Sequence, residues 1–487
     1  MDRSEPILAI DFGTSSSVAY LVPPGGEPEE VREPPSQRTF LWPSAVLAAG
    51  GTLLVGSEAE ARKLDDAQHA RAYRNEFKRD LGSPDPVWPG QSHQPRDLVR
   101  ALIGKMARAA REQLARATGD APGITLGRTV LTIPPSYEPA GTLRELMLSA
   151  AEDEGLGPVE LLPEPVAAAW GIRAQLTRTR SQLVLVYDFG GGTFDTALIE
   201  VGPGSEWQVL GMASQNTGGK DIDADLVGLM RSRNADWLAR RLRETAPHEA
   251  EDARRRFEVA SSAEAERLKR QLTDVKSAPG QILDAPSVSV TVEELEELAR
   301  RHVGATIQCC RGLLADTGKT VADLDAILLV GGATKMPLVR RMLREELAKD
   351  LPHGRQVPLG EGLPLDPDLA VALGAARWAI VNEICSLRPA EYRPGRSVLR
   401  WDLDHPERPG YTEPRLMRWL VEPGQPYQAG TTPLARIRYA NGTLWDLTAS
   451  EPGRFGGPLA DPPDTPGAAE TGEPITSRQW IATTDRS

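Results

Sequence analysis

LVLVYDFGGGTFDTALIE, residues 183–200, is the stretch on which the reading of this chain turns. It opens on LVLVY, an apolar run of branched and aromatic residues that suits a buried strand, and the run breaks off at a carboxylate, Asp188. Gly190, Gly191 and Gly192 follow, a triplet that costs more backbone entropy than a plain hairpin needs. Three glycines offer close backbone approach. With no side chains in the way, successive N–H groups can face an anion, and Thr193 and Asp195 place a hydroxyl and a second carboxylate beside it. Carboxylates next to a phosphate imply a cation between them. Mg2+ suits, because it prefers oxygen ligands, keeps most of its waters and is held by one or two acids plus substrate phosphates. Taken alone, a Gly-rich hairpin with acidic turn residues would read the same.

A second copy narrows the choice. Residues 7–22, ILAIDFGTSSSVAYLV, repeat the grammar: an apolar strand, Asp11, Phe12-Gly13, the small hydroxyl residues Thr14, Ser15, Ser16 and Ser17, then another apolar strand. Internal duplication of this kind suggests two similar lobes facing each other across one nucleotide, each presenting an Asp to the metal. On these two stretches the chain resembles the actin-like ATPase superfamily, and within it the heat-shock 70 chaperone family. The resemblance implies an α/β fold of two actin-like lobes, duplicated ribonuclease H-like units with helical insert subdomains. It also implies ATP or ADP with Mg2+ between the lobes, and metal contacts from Asp11, Asp188 and Asp195. The phosphate-side residues it implies are Gly13, Thr14, Ser15 and Ser16 in the first hairpin and Gly190, Gly191, Gly192 and Thr193 in the central one, with Asp188 and Thr193 also catalytic.

Other segments extend the resemblance over about residues 5–383, with lobe I about 1–180 and lobe II about 181–383. EFKRDLG, residues 76–82, matches the family's lysine-bearing turn, which makes Lys78 the catalytic lysine; by itself it would read as a solvated surface lysine. VLTIPPSY, residues 130–137, is a strand running into prolines, and Pro134 is the implied relay of nucleotide state. VELLPEPVAAAWGI, residues 159–172, places Glu164 at a strand-to-helix junction beside the hydrolytic water. A water-positioning acid must sit within hydrogen-bond reach of that water, although an acid in a first helical turn is also favoured by the macrodipole alone.

In NTGGKDIDADLVGLM, residues 216–230, Gly218, Gly219 and Lys220 open a helix whose free N–H groups suit an anion, an expected third phosphate contact. AEAERLKRQLT, residues 263–273, resembles the adenosine-side helix, with Glu266, Lys269 and Arg270 on one face; any Glu/Arg/Lys-rich helix shows such spacing. AILLVGGATKMPLVRRML, residues 326–343, brings Gly331 and Gly332 against the base. Ala333 and Lys335 stand where the family has serine and arginine, and a lysine cannot stack on a purine as a guanidinium plane does. DPDLAVALGAARWAI, residues 366–380, carries Asp368 as a further binding residue. It also supplies a helix whose small residues should pack on 167–169 as a shearing hinge.

Composition sets the compartment and excludes some partners. At 487 residues the chain needs two or three domains, and a net charge of −12 argues against a general nucleic-acid or anionic-membrane binder. Residues 1–13 hold no apolar signal segment and no run approaches a membrane span, so a cytoplasmic location is expected. Cys309, Cys310 and Cys385 make neither a metal spacing nor a disulfide framework. GLLADTGKT from Gly312 has one residue too many for a P-loop and follows a helical pattern.

The tail departs from the family. Residues 384–452 read as a small β-rich region, with Asn441-Gly442 as a hairpin turn, and the composition of 453–487 suggests disorder. In this tail neither the family's acidic-apolar linker nor its full peptide-binding sandwich and helical lid is expected. The expected activity is a chaperone-like ATPase switch with a divergent peptide-binding module; an actin-like filament protein and a sugar kinase share the scaffold. A dedicated partner or client at the C-terminal region and a nucleotide-exchange factor are the expected partners. Glu160 and Pro163 before the Glu-Pro motif, where the family carries a basic residue, argue against a generic J-domain co-chaperone.

Overall fold

The computed structural model describes residues 5–34, 40–119, 125–137, 142–172, 181–202, 207–246, 249–352, 356–359, 366–381, 386–391, 397–401, 415–428, 432–438, 444–449, 453–458 and 480–485. The two motif hairpins seed two sheets of the same design. Ile7–Asp11 pairs antiparallel with Ser16–Val22 and parallel with Arg128–Ile133, which in turn pairs parallel with Val159–Pro163. Gln182–Phe189 pairs antiparallel with Phe194–Val201 and parallel with Ala326–Val330. Each founding strand is apolar on both faces because each sheet is covered on both sides. Leu183, Leu185, Tyr187 and Phe189 enter the core of lobe II, while Val184 and Val186 enter a core between the lobes that also takes Ala9. Leu8, Ile10 and Phe12 face the core of lobe I.

Helices complete the covering where their caps allow. Thr291 caps Val292–Asp316 by accepting from the Glu294 N–H at 3.3 Å while the Glu294 carboxylate accepts from the Thr291 N–H at 3.0 Å. The charged stretch 58–78 has a helical pattern, and it forms two short helices, Ser57–Arg62 and Ala67–Ala72, followed by strand Tyr73–Asn75. Asp66 starts the second by accepting from the His69 N–H at 2.8 Å, so the chain is re-capped instead of continuing.

Two helices cross between the lobes, Glu164–Gly171 and Ala370–Val381. Ala167, Ala168, Ala169, Ala372, Ala375 and Ala376 are fully buried there, and a Cβ on Gly374 would run into the carbonyl oxygen of Ala167. A buried ion pair ties the second of these helices to the lobe I sheet. Arg128 donates to Glu160 at 2.9 Å and to the Ala379 carbonyl at 2.7 Å, with its guanidinium 5.4 Å from the centre of the Trp378 ring. Glu160 is therefore fully buried, and the charge expected to repel a docking partner is not at the surface.

The C-terminal strands correct a further expectation. Pro433–Arg438 and Leu444–Ala449 pair antiparallel, and Leu444 pairs with Leu161 at the edge of the lobe I sheet, which continues through them. Leu416, Ile437, Leu447 and Phe455 share the core that holds Trp170 and Ile172. Arg436, fully buried, forms an ion pair with Glu152, and Arg418 reaches Glu145 at 3.2 Å; both acids lie on helix Thr142–Glu152. The expectation of disorder from 453 onward fails for Gly453–Pro458 and Trp480–Asp485, which pair as strands. Composition missed them because their partners are supplied by distant chain; Phe455, for example, packs on Trp419 with ring centres 5.0 Å apart. The Asn441-Gly442 turn lies outside the described residues.

Two measurements test this packing. Gly374→Val should cost about 3 kcal/mol or more, since overpacking against backbone cannot be relieved by a rotamer change; an unchanged urea midpoint would mean that the helices do not cross there. Removal of residues 385–487 should lower the melting temperature by several degrees or cause precipitation. A truncated chain that melts like the full one would show that the β layer is a separate unit.

Candidate functional site

The ends of the founding strands bring the motif turns into one cleft. It is lined by Asp11, Gly13, Thr14, Ser15 and Ser16 from lobe I, by Asp188, Gly190, Gly191, Gly192 and Thr193 from lobe II, and by Lys78 and Glu164 between them. Gly331, Gly332 and Asp368 close its far side. The glycines are needed because the two turns touch. A Cβ on Gly191 would collide with the Ser15 hydroxyl, and one on Gly192 with the Thr14 hydroxyl. Gly331 has φ +83°, in the left-handed region, and lies against Phe189 and Asp188.

Lys78 and Glu164 form the pair at the centre, Nζ to Oε1 2.7 Å, and Lys78 also donates to the Phe12 carbonyl. Burial alone would lower the Lys78 pKa, but Glu164, Tyr137 and Asp11 around it hold it above the ordinary lysine range. The acids go the other way. Asp11 is pushed up to about 7, by burial first and then by Glu164, against a 2.6 Å hydrogen bond from Thr132. Asp195 is also raised to about 7, by burial and Glu164, although Thr193 and Ser214 donate to it at 2.6 and 2.5 Å. Asp188 is held well above its usual range by burial, then by Glu164, Asp195 and Asp11.

Among the described residues of the cleft lining, several carboxylates thus crowd around a single ammonium, a charge balance that favours a further cation. Among the described residues, no three acidic, His or Cys side chains converge closely enough to hold an ion unaided. Oxygen donors of this number and kind fit a hydrated hard ion shared with a ligand's phosphates better than a closed protein cage.

Other expected residues sit beside the cleft. Gly219 N–H donates to the Gly190 carbonyl at 3.0 Å and Lys220 N–H to the Gly191 carbonyl at 2.8 Å, while Gly218 N–H donates to Asp221. The donors expected to face an anion instead clamp helix Gly219–Arg233 onto the central hairpin, so in this structure they are not free. Lys220 pairs with Glu266 at 2.9 Å, Arg270 with Glu266 at 2.7 Å, and Lys269 with Asp223 and the Gly219 carbonyl, both at 2.8 Å. Glu266 and Arg270 thus share one ion-pair set with Lys220, while Lys269 holds Asp223. Ala333 is buried, and Lys335 is tied to Asp366 at 2.9 Å and Asp368 at 2.7 Å, so its ammonium is held by acids next to the glycine loop.

Arg79 escaped the sequence reading. It crosses from lobe I to donate to the Gly192 carbonyl at 2.6 Å and to Asp221 at 2.9 Å, fixing the central hairpin from outside. Its place next to Lys78 in the same turn was the available signal. A neighbouring hollow is lined by Arg79, Pro134, Tyr137, Thr193 and Asn216. Leu41, which also lines the cleft, lies in a stretch with no motif to mark it.

The family model described as Hsp70 protein matches residues 85–384, well over half of the 487 residues. That span carries the Glu164 junction, the central hairpin and both crossing helices, and it begins after the first hairpin and Lys78, which stand on their geometry. The chain belongs to the Hsp70 family, whose members are chaperone-type ATP-binding proteins.

Proposed function

We propose that this protein binds ATP with Mg2+ between its two lobes and hydrolyses it as a conformational switch in the cytoplasm. The observation that carries this reading is the buried Lys78–Glu164 pair set between two touching, glycine-rich turns. Positioning and charge stabilisation account for nearly all of enzymatic phosphoryl transfer, and a closed cleft of this kind supplies both. The turns at Gly13–Ser16 and Gly190–Thr193 would cradle phosphate oxygens. Asp11 and Asp188 would hold the hydrated Mg2+, with Asp195 behind Thr193 completing the oxygen set; the ion would offset the negative charge of the phosphates. Lys78, kept charged by its surroundings, would face the terminal phosphate. Glu164, oriented by Lys78, would accept a hydrogen bond from the attacking water.

Glu266, Lys269 and Arg270 would approach the adenosine side, and Gly331 and Gly332 the base. Lobe I, about 1–180, and lobe II, about 181–383, would shear along the helices that cross at Gly374, with Pro134 reporting the nucleotide state. The Hsp70 match favours this reading over a filament protein or a sugar kinase on the same scaffold. In place of a peptide-gripping module we assign the C-terminal β layer an intramolecular role, with a dedicated partner at its outer face. A nucleotide-exchange factor remains part of the proposal. The charge argument against a J-domain protein falls with the burial of Glu160.

Lys78→Ala and Glu164→Gln should each slow ATP turnover by about 10²-fold or more while ATP affinity stays within a few-fold. Normal turnover in both variants sinks the assignment. Gly191→Ala should act differently, weakening ATP binding by roughly tenfold or more because the turns can no longer meet, a loss of about 1.4 kcal/mol in calorimetry. Chelation of Mg2+ should abolish turnover in the unaltered chain.

A further inference from the structure

A second cavity lies in the helical insert of lobe II, between helices Ala235–Glu244 and Ala250–Gln271. Its volume, about 620 Å3, is in the range of small-molecule sites. No residue that lines it also lines the cleft between the lobes. Trp237 and Phe257 form its apolar floor, stacked with ring centres 6.2 Å apart and planes 29° from parallel. Leu238 and Leu283 extend that surface. Leu283 has φ +51°, a left-handed conformation that a branched apolar residue rarely adopts and that often marks a ligand-binding edge.

The rim is cationic. Among the described residues, Arg231, Arg241, Arg254 and Arg256 line the cavity against two acids, Glu258 and Asp284. Arg231 lies over the Phe257 ring, its guanidinium carbon 5.6 Å from the ring centre, so a planar cation stands at the edge of the apolar floor. A guanidinium at such an edge offers planar N–H donors to an anionic oxygen, and a charge-assisted bond there is stronger than a neutral one. Arg241 spans to Asp284 only at 3.8 Å, both side chains more than half exposed, so that contact is weak and can open.

We propose that this cavity binds an organic anion with an aromatic or acyl body and a single carboxylate or sulfonate head. The body would lie on Trp237 and Phe257, and the head would accept from Arg231. An aromatic floor with a planar donor at its edge selects for that combination: a purely apolar ligand makes no use of the cationic rim, and a small inorganic anion leaves the ring surface wet.

The test uses the full chain with anilinonaphthalene sulfonate as the fluorescent probe, dodecanoate as competitor and the uncharged N-phenylnaphthylamine as control. One saturable site per chain is expected, displaced stoichiometrically by dodecanoate. Arg231→Gln should weaken it by roughly tenfold or more, the loss of one charge-assisted hydrogen bond. Arg241→Glu, an exposed change that leaves the fold intact, should weaken it too, and ATP affinity should be unaltered in both. Non-saturable probe binding would overturn the proposal. So would binding indifferent to both substitutions, or an uncharged control that binds as tightly as the sulfonate.

Discussion

Carboxylates brought together out of water set the terms for this fold. Asp188 and Asp195 are almost wholly buried, Glu164 nearly so, and Asp11 opens on the same cleft, while Lys78 is the one ammonium among the described residues that lines it. Burying an ionised carboxylate costs several kcal/mol even after relaxation. The raised pKa values of Asp11, Asp188 and Asp195 are the form that cost takes in the protein alone. Nothing in core packing requires these acids at strand ends, so the rest of the structure has to hold them there. It does so with strands apolar on both faces, hydrogen bonds from Thr132, Thr193 and Ser214, and hairpins that meet through glycine.

The same economy of size governs the lobe interface. Two helices whose contacting residues are Ala and Gly can approach until one backbone rests on the other, as Gly374 rests on Ala167. Interdigitated large side chains would lock such a pair. A small-residue surface leaves a smoother path for sliding, and dispersion contacts between the backbones still hold the helices together. The Arg128–Glu160 pair limits that freedom from one side, since it fastens the end of helix Ala370–Val381 to lobe I.

What was legible in the sequence was what local pattern encodes. The duplicated hairpins, the Glu164 junction, the glycine loop after Val330 and the Thr291 cap each announce themselves within about a dozen residues, because strand alternation, glycine and capping chemistry act at short range. What stayed hidden depends on partners far along the chain. The Gly219 and Lys220 N–H groups look free until the central hairpin carbonyls arrive, and Glu160 looks like a surface charge until Arg128 stands beside it. Arg436 reads as one more solvated arginine, yet it is fully buried against helix Thr142–Glu152.

That last contact bears on how a nucleotide signal could leave the lobes under the proposed function. A tethered peptide-binding module can separate from its lobes because its own core is complete. Here Leu416, Ile437, Leu447 and Phe455 draw on the same core as Trp170 and Ile172, and the layer continues the lobe I sheet through Leu444 and Leu161. Separation would expose that shared apolar surface and leave Arg436 without Glu152, so the layer has to travel with lobe I. In the proposed switch, a change of state would then be a motion of lobe II against lobe I and the layer together. Trp170 and Ile172, at the end of the crossing helix and against the layer, are where that motion would be felt first.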